Sequence, residues 1–271
     1  MLHIKKTLLY LNGVIKKYLR TFIKPDFVGN KYQCPACLTN LAYFNSFPDH
    51  SYQQLRQNGF IYSLRDFETA NLKNNACPAC GTGDSNRLYA IYLRDKLSKL
   101  DTNKKYTFID FAPVPPLAQI IKSYRFINYR SADLFMPDVD DHVDIMDMKI
   151  YKNNSVDMFL CAHILEHVTD DIKAMKELFR ILKPGGWGII MVPILLSINK
   201  IQEDPNITSE NERWKYYGQG EHVRMYSKKG FIQRLASVGF KVHQLDINYF
   251  GKSVFKKYGI SPKSVLYVVS K

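Results

Sequence analysis

Two short apolar runs separated by an amphipathic stretch form the clearest pattern in the chain. Val156 to Ala162 is rich in branched and aromatic side chains and predicts a strand buried on both faces. From Asp170 to Leu182, the residues Ile172, Met175, Leu178, Phe179 and Leu182 recur along one helical face. Lys183-Pro184-Gly185-Gly186 then stops the helix: glycine supplies a left-handed turn, and proline cannot continue the hydrogen-bond ladder. Trp187 to Ile194 predicts a second buried strand. Strand, helix and strand in so short a span make a right-handed parallel crossover unit.

The same reading extends to both sides. Tyr106 to Phe111 predicts a strand, and Leu117 to Tyr124 a helix with proline at its start. A further strand covers Arg125 to Tyr129 or slightly later, ending near Asp133. Ser227 caps a helix running to Ala236, with Phe231, Leu235 and Val238 apolar and Gly239 at its end. Phe240 to Ile247 and Ser264 to Val269 read as the last two strands. Upstream, Leu41 to Phe44 and Phe60 to Tyr62 are short enough to pair with each other, and Asn86 to Leu100 reads as a connecting helix. The polar stretch Asp101 to Lys105 marks a boundary, dividing the chain into 1–28, 29–100 and 101–271.

Composition adds a basic balance. The net charge of +13 favours an anionic partner such as nucleic acid, a membrane surface or a phosphorylated substrate, although a solvated basic surface gives the same total. Hydrophobic residues make up 46% of the 271 positions, enough for a sizeable core. The first 24 residues hold six lysines or arginines and no acid, and Leu8, Leu11, Ile15, Leu19 and Phe22 share one helical face. Asn12 and Gly13 interrupt the apolar stretch, which argues against a signal peptide. A basic amphipathic helix over 1–28 is expected either to dock on the rest of the chain or to lie on an anionic membrane. No apolar run reaches the roughly 18 residues of a spanning helix. The expected location is the cytoplasm, with the inner face of the membrane as the surface that helix would touch.

Four of the five cysteines form two identical tetrapeptides, Cys34-Pro35-Ala36-Cys37 and Cys77-Pro78-Ala79-Cys80. Two intervening residues let both sulfurs of one turn reach one ion, and two such turns complete a tetrahedral thiolate site suited to Zn²⁺. The duplication argues against a redox pair, and the missing signal peptide against disulfides. The expectation is a zinc-ribbon-like module whose zinc is structural, because protein fills all four positions.

The segment VDIMDM, NNSVDMFLCAHILEHV, the acidic helix and LKPGGWGIIMVP, in that order, resembles the C-terminal half of the class I S-adenosylmethionine-dependent methyltransferase core, of the type 11-like kind. The resemblance implies an α/β fold: a Rossmann-like seven-stranded sheet with helices on both faces, ending in two antiparallel strands. It implies S-adenosylmethionine as cofactor; the Zn expected at the cysteines would be a separate, structural ion. In the family the first strand ends in an acid and enters a glycine-rich loop. Here Asp110 holds the acid position, but Phe111-Ala112-Pro113-Val114-Pro115-Pro116 contains no glycine. The Phe-Ala-Pro turn is similar to a subgroup with paired-cysteine N-terminal modules. Asp133 is expected at the ribose hydroxyls. Asp144 is expected at the adenine amino group with the following amide, that of Ile145, at a ring nitrogen, and Asp147 competes for this role. Asp110, Ala112, Pro113 and Ala162 complete the expected cofactor surface.

Methyl transfer aligns a nucleophile with a methyl group and sometimes requires proton removal. His222, in a His-x-Arg-x-Tyr-Ser segment similar to the subgroup's, is the first candidate base, followed by His163 and His167. Arg224 would hold an anionic substrate group, and Trp214 and Tyr217 in the polar insert would stack on a ring. The expected activity is methyl transfer to a small molecule or glycan precursor. The alternatives are an RNA methyltransferase or a non-catalytic protein of this fold. Nucleic acid is the less favoured partner, since Ala76 to Ser85 contains no lysine or arginine.

Overall fold

The computed structural model describes residues 25–271. The amphipathic helix expected over 1–28 lies, up to residue 24, outside the described residues. Its last positions form a short 3-10 turn, Pro25–Phe27, and the first residue of a strand. That strand, β1 (Val28–Gln33), pairs antiparallel with β2 (Asn40–Leu41). Two helices follow, α1 (Asp49–Gln57) and α2 (Asp84–Leu97).

Seven strands then build one sheet among the described residues. In chain order these are β3 (Tyr106–Phe111), β4 (Ile127–Asp133), β5 (Asp141–His142), β6 (Val156–Ala162), β7 (Leu182–Met191), β8 (Lys241–Leu245) and β9 (Leu266–Ser270). Their order in space is β5-β4-β3-β6-β7-β9-β8. The first five run parallel, while β9 is antiparallel to both β7 and β8. Helices α3 (Pro115–Lys122) and α4 (Asp171–Ile181) make the crossovers β3-to-β4 and β6-to-β7. Beyond β7 come α5 (Glu210–Tyr217), α6 (Lys228–Ser237), α7 (Ile247–Phe250) and α8 (Lys252–Lys257).

The central strands form because both their faces are covered. Phe108, Phe159, Leu160, Ile189 and Ile190 are all buried, and each such side chain contributes about 1.5–3 kcal/mol over an exposed one. The Phe159 ring lies over Gly188 on the next strand, in contact with the place a Cβ would take; only glycine leaves that room. Asp170 caps α4 by accepting from the Lys173 amide at 2.8 Å.

The end of α4 corrects the expected boundary. Leu182 already has extended backbone and pairs with Val156, so β7 begins at Leu182 rather than Trp187. Lys183 to Gly186 form an irregularity within the strand, with Gly185 at φ +78° and the Lys183 ammonium on both oxygens of Asp157 at 2.8 Å. The strand stops at Met191, before the expected Ile194.

A second correction concerns Phe60 to Tyr62, which does not pair with the segment near Leu41. Leu41 pairs with β1, while Phe60 and Tyr62 pack in a separate cluster around Leu195, Tyr217 and Met225. The main apolar cluster runs without a break from Cys34 and Cys77 through Leu88 and Leu93 of α2 into the sheet. Tyr92 of α2 meets Trp187 of β7 edge to face, with ring centroids 5.2 Å apart.

Candidate functional site

Phe111, Ala132 and Cys161 stand level across β3, β4 and β6. The chain leaves the sheet just beyond them, at the point where successive strands turn to opposite sides of β3. Ligands of open parallel sheets bind at such a point, outside the carboxyl ends of the strands. A cavity of about 570 Å³ lies there, and its walls include Ala112, Asp133, Asp144, Ile145, His163 and His167.

Two residues on its walls have left-handed backbone, Ala112 at φ +50° and His163 at φ +58°. Glycine adopts this conformation without strain and other residues seldom do. Both are fixed by strand hydrogen bonds: the Ala112 amide donates to Ala132 at 2.9 Å and the His163 amide to Met191 at 2.8 Å. The glycine-free turn thus takes a glycine-like path, with only a methyl group on it.

Two of the wall carboxylates are locally oriented. Asp133 Oδ1 accepts from the amides of Phe135 and Met136 at 2.7 and 2.8 Å, and Asp144 Oδ1 accepts from Met146 at 2.8 Å. Asp147 is exposed and pairs with Lys149, so the two competing acids separate: Asp144 faces the cavity. Phe135, 86% exposed at the rim, was not singled out from the sequence; an apolar ring in a turn between acids carries no pattern. Pro113 and Ala162 adjoin the cavity in sequence but do not line it. Asp110 is fully buried beneath it and accepts from Tyr129 Oη at 2.9 Å. Burial pushes its carboxyl up to about 7, against the opposing pull of that hydrogen bond.

The three expected histidines converge around Glu166. His163 lines the cavity with 43% of its side chain exposed, and its Nδ1 stands 3.3 Å from Glu166 Oε1. Partial desolvation works against protonation of His163, but Glu166 outweighs it and raises the histidine pKa. Burial likewise works to raise the Glu166 pKa, and the neighbouring histidines bring it below the usual value. Behind them, the rings of His167 and His222 meet edge to face, with centroids 4.7 Å apart. His222 is buried, and it donates from Nδ1 to the Tyr217 carbonyl at 3.0 Å. Burial lowers its pKa.

The segment carrying His222 is stitched to the exit loop of β6. The Val223 amide donates to the Glu166 carbonyl at 2.9 Å. Arg224 is buried, and its guanidinium donates to the carbonyls of Leu165, Val168 and Thr169 and to Glu203. This corrects the expected substrate clamp, because its hydrogen-bonding capacity goes to the protein's own loops. Trp214 and Tyr217 are also away from the cavity. Tyr217 is core of the second apolar cluster and accepts from the Asp204 amide, while Trp214 reaches Glu210 on its own helix.

The cysteines form a separate centre. Cys34 and Cys80 Sγ are 3.7 Å apart, Cys37 and Cys77 Sγ 3.9 Å, and all four sulfurs lie within 4.8 Å of one another. Tetrahedral Zn²⁺ with bonds of about 2.3 Å needs sulfurs about 3.8 Å apart, so the residues fit the ion. The two turns repeat bond for bond. Leu38 and Gly81 amides each donate to the first cysteine's carbonyl at 2.8 Å, and Cys34 and Cys77 amides each donate to a threonine carbonyl at 2.9 Å. Two arginines of α2 hold them: Arg94 donates to the carbonyls of Pro35 and Ala36, and buried Arg87 to those of Thr82, Asn74, Asn75 and Gly259.

A family model described as a methyltransferase domain matches residues 79–245. The ubiquinone/menaquinone biosynthesis C-methyltransferase UbiE of Pasteurella multocida is 26% identical over 117 residues, 38% of this chain and 41% of that protein. An uncharacterised protein of Methanocaldococcus jannaschii is 31% identical over 118 residues, 43% of each chain. The matched regions thus span about two fifths of these relatives' length. A solved S-adenosylmethionine-dependent methyltransferase of Archaeoglobus fulgidus superposes with a TM-score of 0.42 at 13% identity, over 69% of this chain and 93% of that one.

Proposed function

The chain belongs to the methyltransferase-domain family, and from that premise we propose that it methylates a small-molecule or glycan acceptor using S-adenosylmethionine. The observation that carries this reading is the cavity at the strand switch point, with Asp133 and Asp144 on its walls and two left-handed residues shaping it. When bound there, the cofactor supplies an electrophilic methyl group. Asp133 accepts hydrogen bonds from the ribose hydroxyls. Asp144 and the amide of Ile145 read the adenine edge, with Phe135 closing over the ring from the rim. Ala112 lets the backbone come close to the amino-acid portion.

His163 is the base this arrangement favours. It faces the cavity while His222 is buried behind His167, and Glu166 beside it stabilises the protonated ring. The half-exposed His163 side chain faces the cavity where an acceptor would stand. Among the described residues no helix is long and apolar enough to cross a membrane.

Calorimetric titration with S-adenosylhomocysteine tests the reading. Wild-type protein binds one equivalent. Asp133→Asn keeps an oxygen for the Phe135 and Met136 amides but loses the charge, and weakens binding by about 1.5–3 kcal/mol. Unchanged affinity in that variant would move the ribose role to another acid.

A further inference from the structure

We propose that Glu166, His167 and His222 bind a divalent first-row transition metal ion at the wall of the cavity, and that this ion holds an oxygen of the acceptor. The second half rests on the methyl-transfer reading above; the first stands on geometry alone.

One ligand atom from each of the three residues lies within 4.8 Å of the others. The donors come from two segments, the exit loop of β6 and the stretch after α5, which Arg224 and the Val223 amide lock together. Glu166 is 1% exposed; His163 Nδ1 stands 3.3 Å from its Oε1, and no hydrogen bond reaches its Oε2. A buried carboxylate is costly unless cations meet it; protonated His163 covers Oε1, and Oε2 is left for a second cation. His222 donates from Nδ1 to a backbone carbonyl, which leaves Nε2 with a lone pair. Metal-ligating histidines are typically oriented by this kind of bond. A metal about 2.1 Å from each donor needs the donors within about 4.2 Å, a separation that small side-chain rotations supply.

Two imidazoles and one carboxylate leave coordination positions open, and this donor set suits Zn²⁺, Fe²⁺ or Mn²⁺ rather than Mg²⁺ or Ca²⁺. The open side faces the cavity, because His167 lines it together with His163 and Glu221. An ion there polarises a bound hydroxyl and lowers its pKa. The acceptor would bind as its oxygen anion, its proton released to the water of the cavity as the metal takes the oxygen. The acceptor class is therefore a phenol, catechol or enol, whose oxygen ionises readily once bound.

The test uses the full chain with its cysteine centre intact, titrated with Co²⁺ and followed by visible absorption and calorimetry. The expected result is one Co²⁺ per chain with weak d–d bands and no thiolate charge-transfer band. Its affinity falls by about a hundredfold in Glu166→Gln and in His167→Ala. His167 is only partly buried, so that variant is expected to keep the wild-type melting profile. No Co²⁺ uptake by the wild type, uptake with thiolate bands alone, or unchanged affinity in both variants would overturn the site. S-adenosylhomocysteine titrated into the same samples separates the two claims. Nucleoside binding without Co²⁺ removes only the metal, and Co²⁺ binding without nucleoside removes only the methyl-transfer reading.

Discussion

The four-cysteine centre and the Glu166–His167–His222 cluster are both convergent sets of donor atoms, each within 4.8 Å, yet they are assembled in opposite ways. Each cysteine turn is a closed local unit: the same six-residue pattern makes the same backbone hydrogen bonds at Cys34 and again at Cys77. The histidine cluster has no such unit. Its parts lie at positions 166, 167 and 222, and they meet only because the segment after α5 is hydrogen-bonded along the exit loop of β6. A site made of local turns can be read from spacing. A site made by packing one loop on another cannot, because neither segment carries the register of the other.

The sharpest way to break this contrast is to remove one cysteine. Cys77→Ser is expected to lose the metal and unfold residues 29–83, since a structural thiolate zinc carries about 10–16 kcal/mol of apparent binding energy. Elemental analysis with thermal melting checks it, and a fully folded, metal-free preparation would contradict it.

Arg224→Ala comes next. Removing the buried guanidinium takes a donor from the carbonyls of Val168 and Thr169, leaves that of Leu165 with Tyr226 Oη alone, and leaves Glu203 and Asp171 with less counter-charge. The expected cost is about 3–5 kcal/mol of stability, read as a lower denaturant midpoint, with KM for the acceptor unchanged in the folded fraction. A raised KM at wild-type stability would restore the clamp.

The last expected effect lies in the pH dependence of stability. Asp110 has a folded-state pKa of about 7, raised by burial. Between its ordinary carboxylate pKa and that value, the folded protein holds a proton that the unfolded chain has released. Stability therefore falls as pH rises through that window. Asp110→Asn cannot ionise, so the decline in melting temperature between about pH 4 and about pH 7 should flatten. An unchanged slope would show that other groups set it.

Much of the scaffold was legible because burial on both faces leaves a strong mark. Val156 to Ala162 forms the expected strand to the residue, and Ser227 caps its helix as expected. Asp133 and Asp144 reach the cavity because acids at strand ends face the carboxyl edge. The misses share one cause, partners distant in sequence. Trp214 and Tyr217 read as free aromatics, but Tyr217 packs with Leu195 and Met225 while Phe60 and Tyr62 gather against that cluster. Arg224 read as an exposed clamp because nothing local announces three carbonyls of another loop. The turn from Phe111 to Pro116 read only as lacking the family's glycine, and a strand hydrogen bond holds Ala112 at positive φ there.

The most direct test of the account is a crystal structure of the full chain with S-adenosylhomocysteine. The account predicts the ribose on Asp133, the adenine edge at Asp144 and Ile145, and the sulfur directed toward His163. A nucleoside bound outside the cavity, or lying within it with its sulfur turned away from His163, would contradict it.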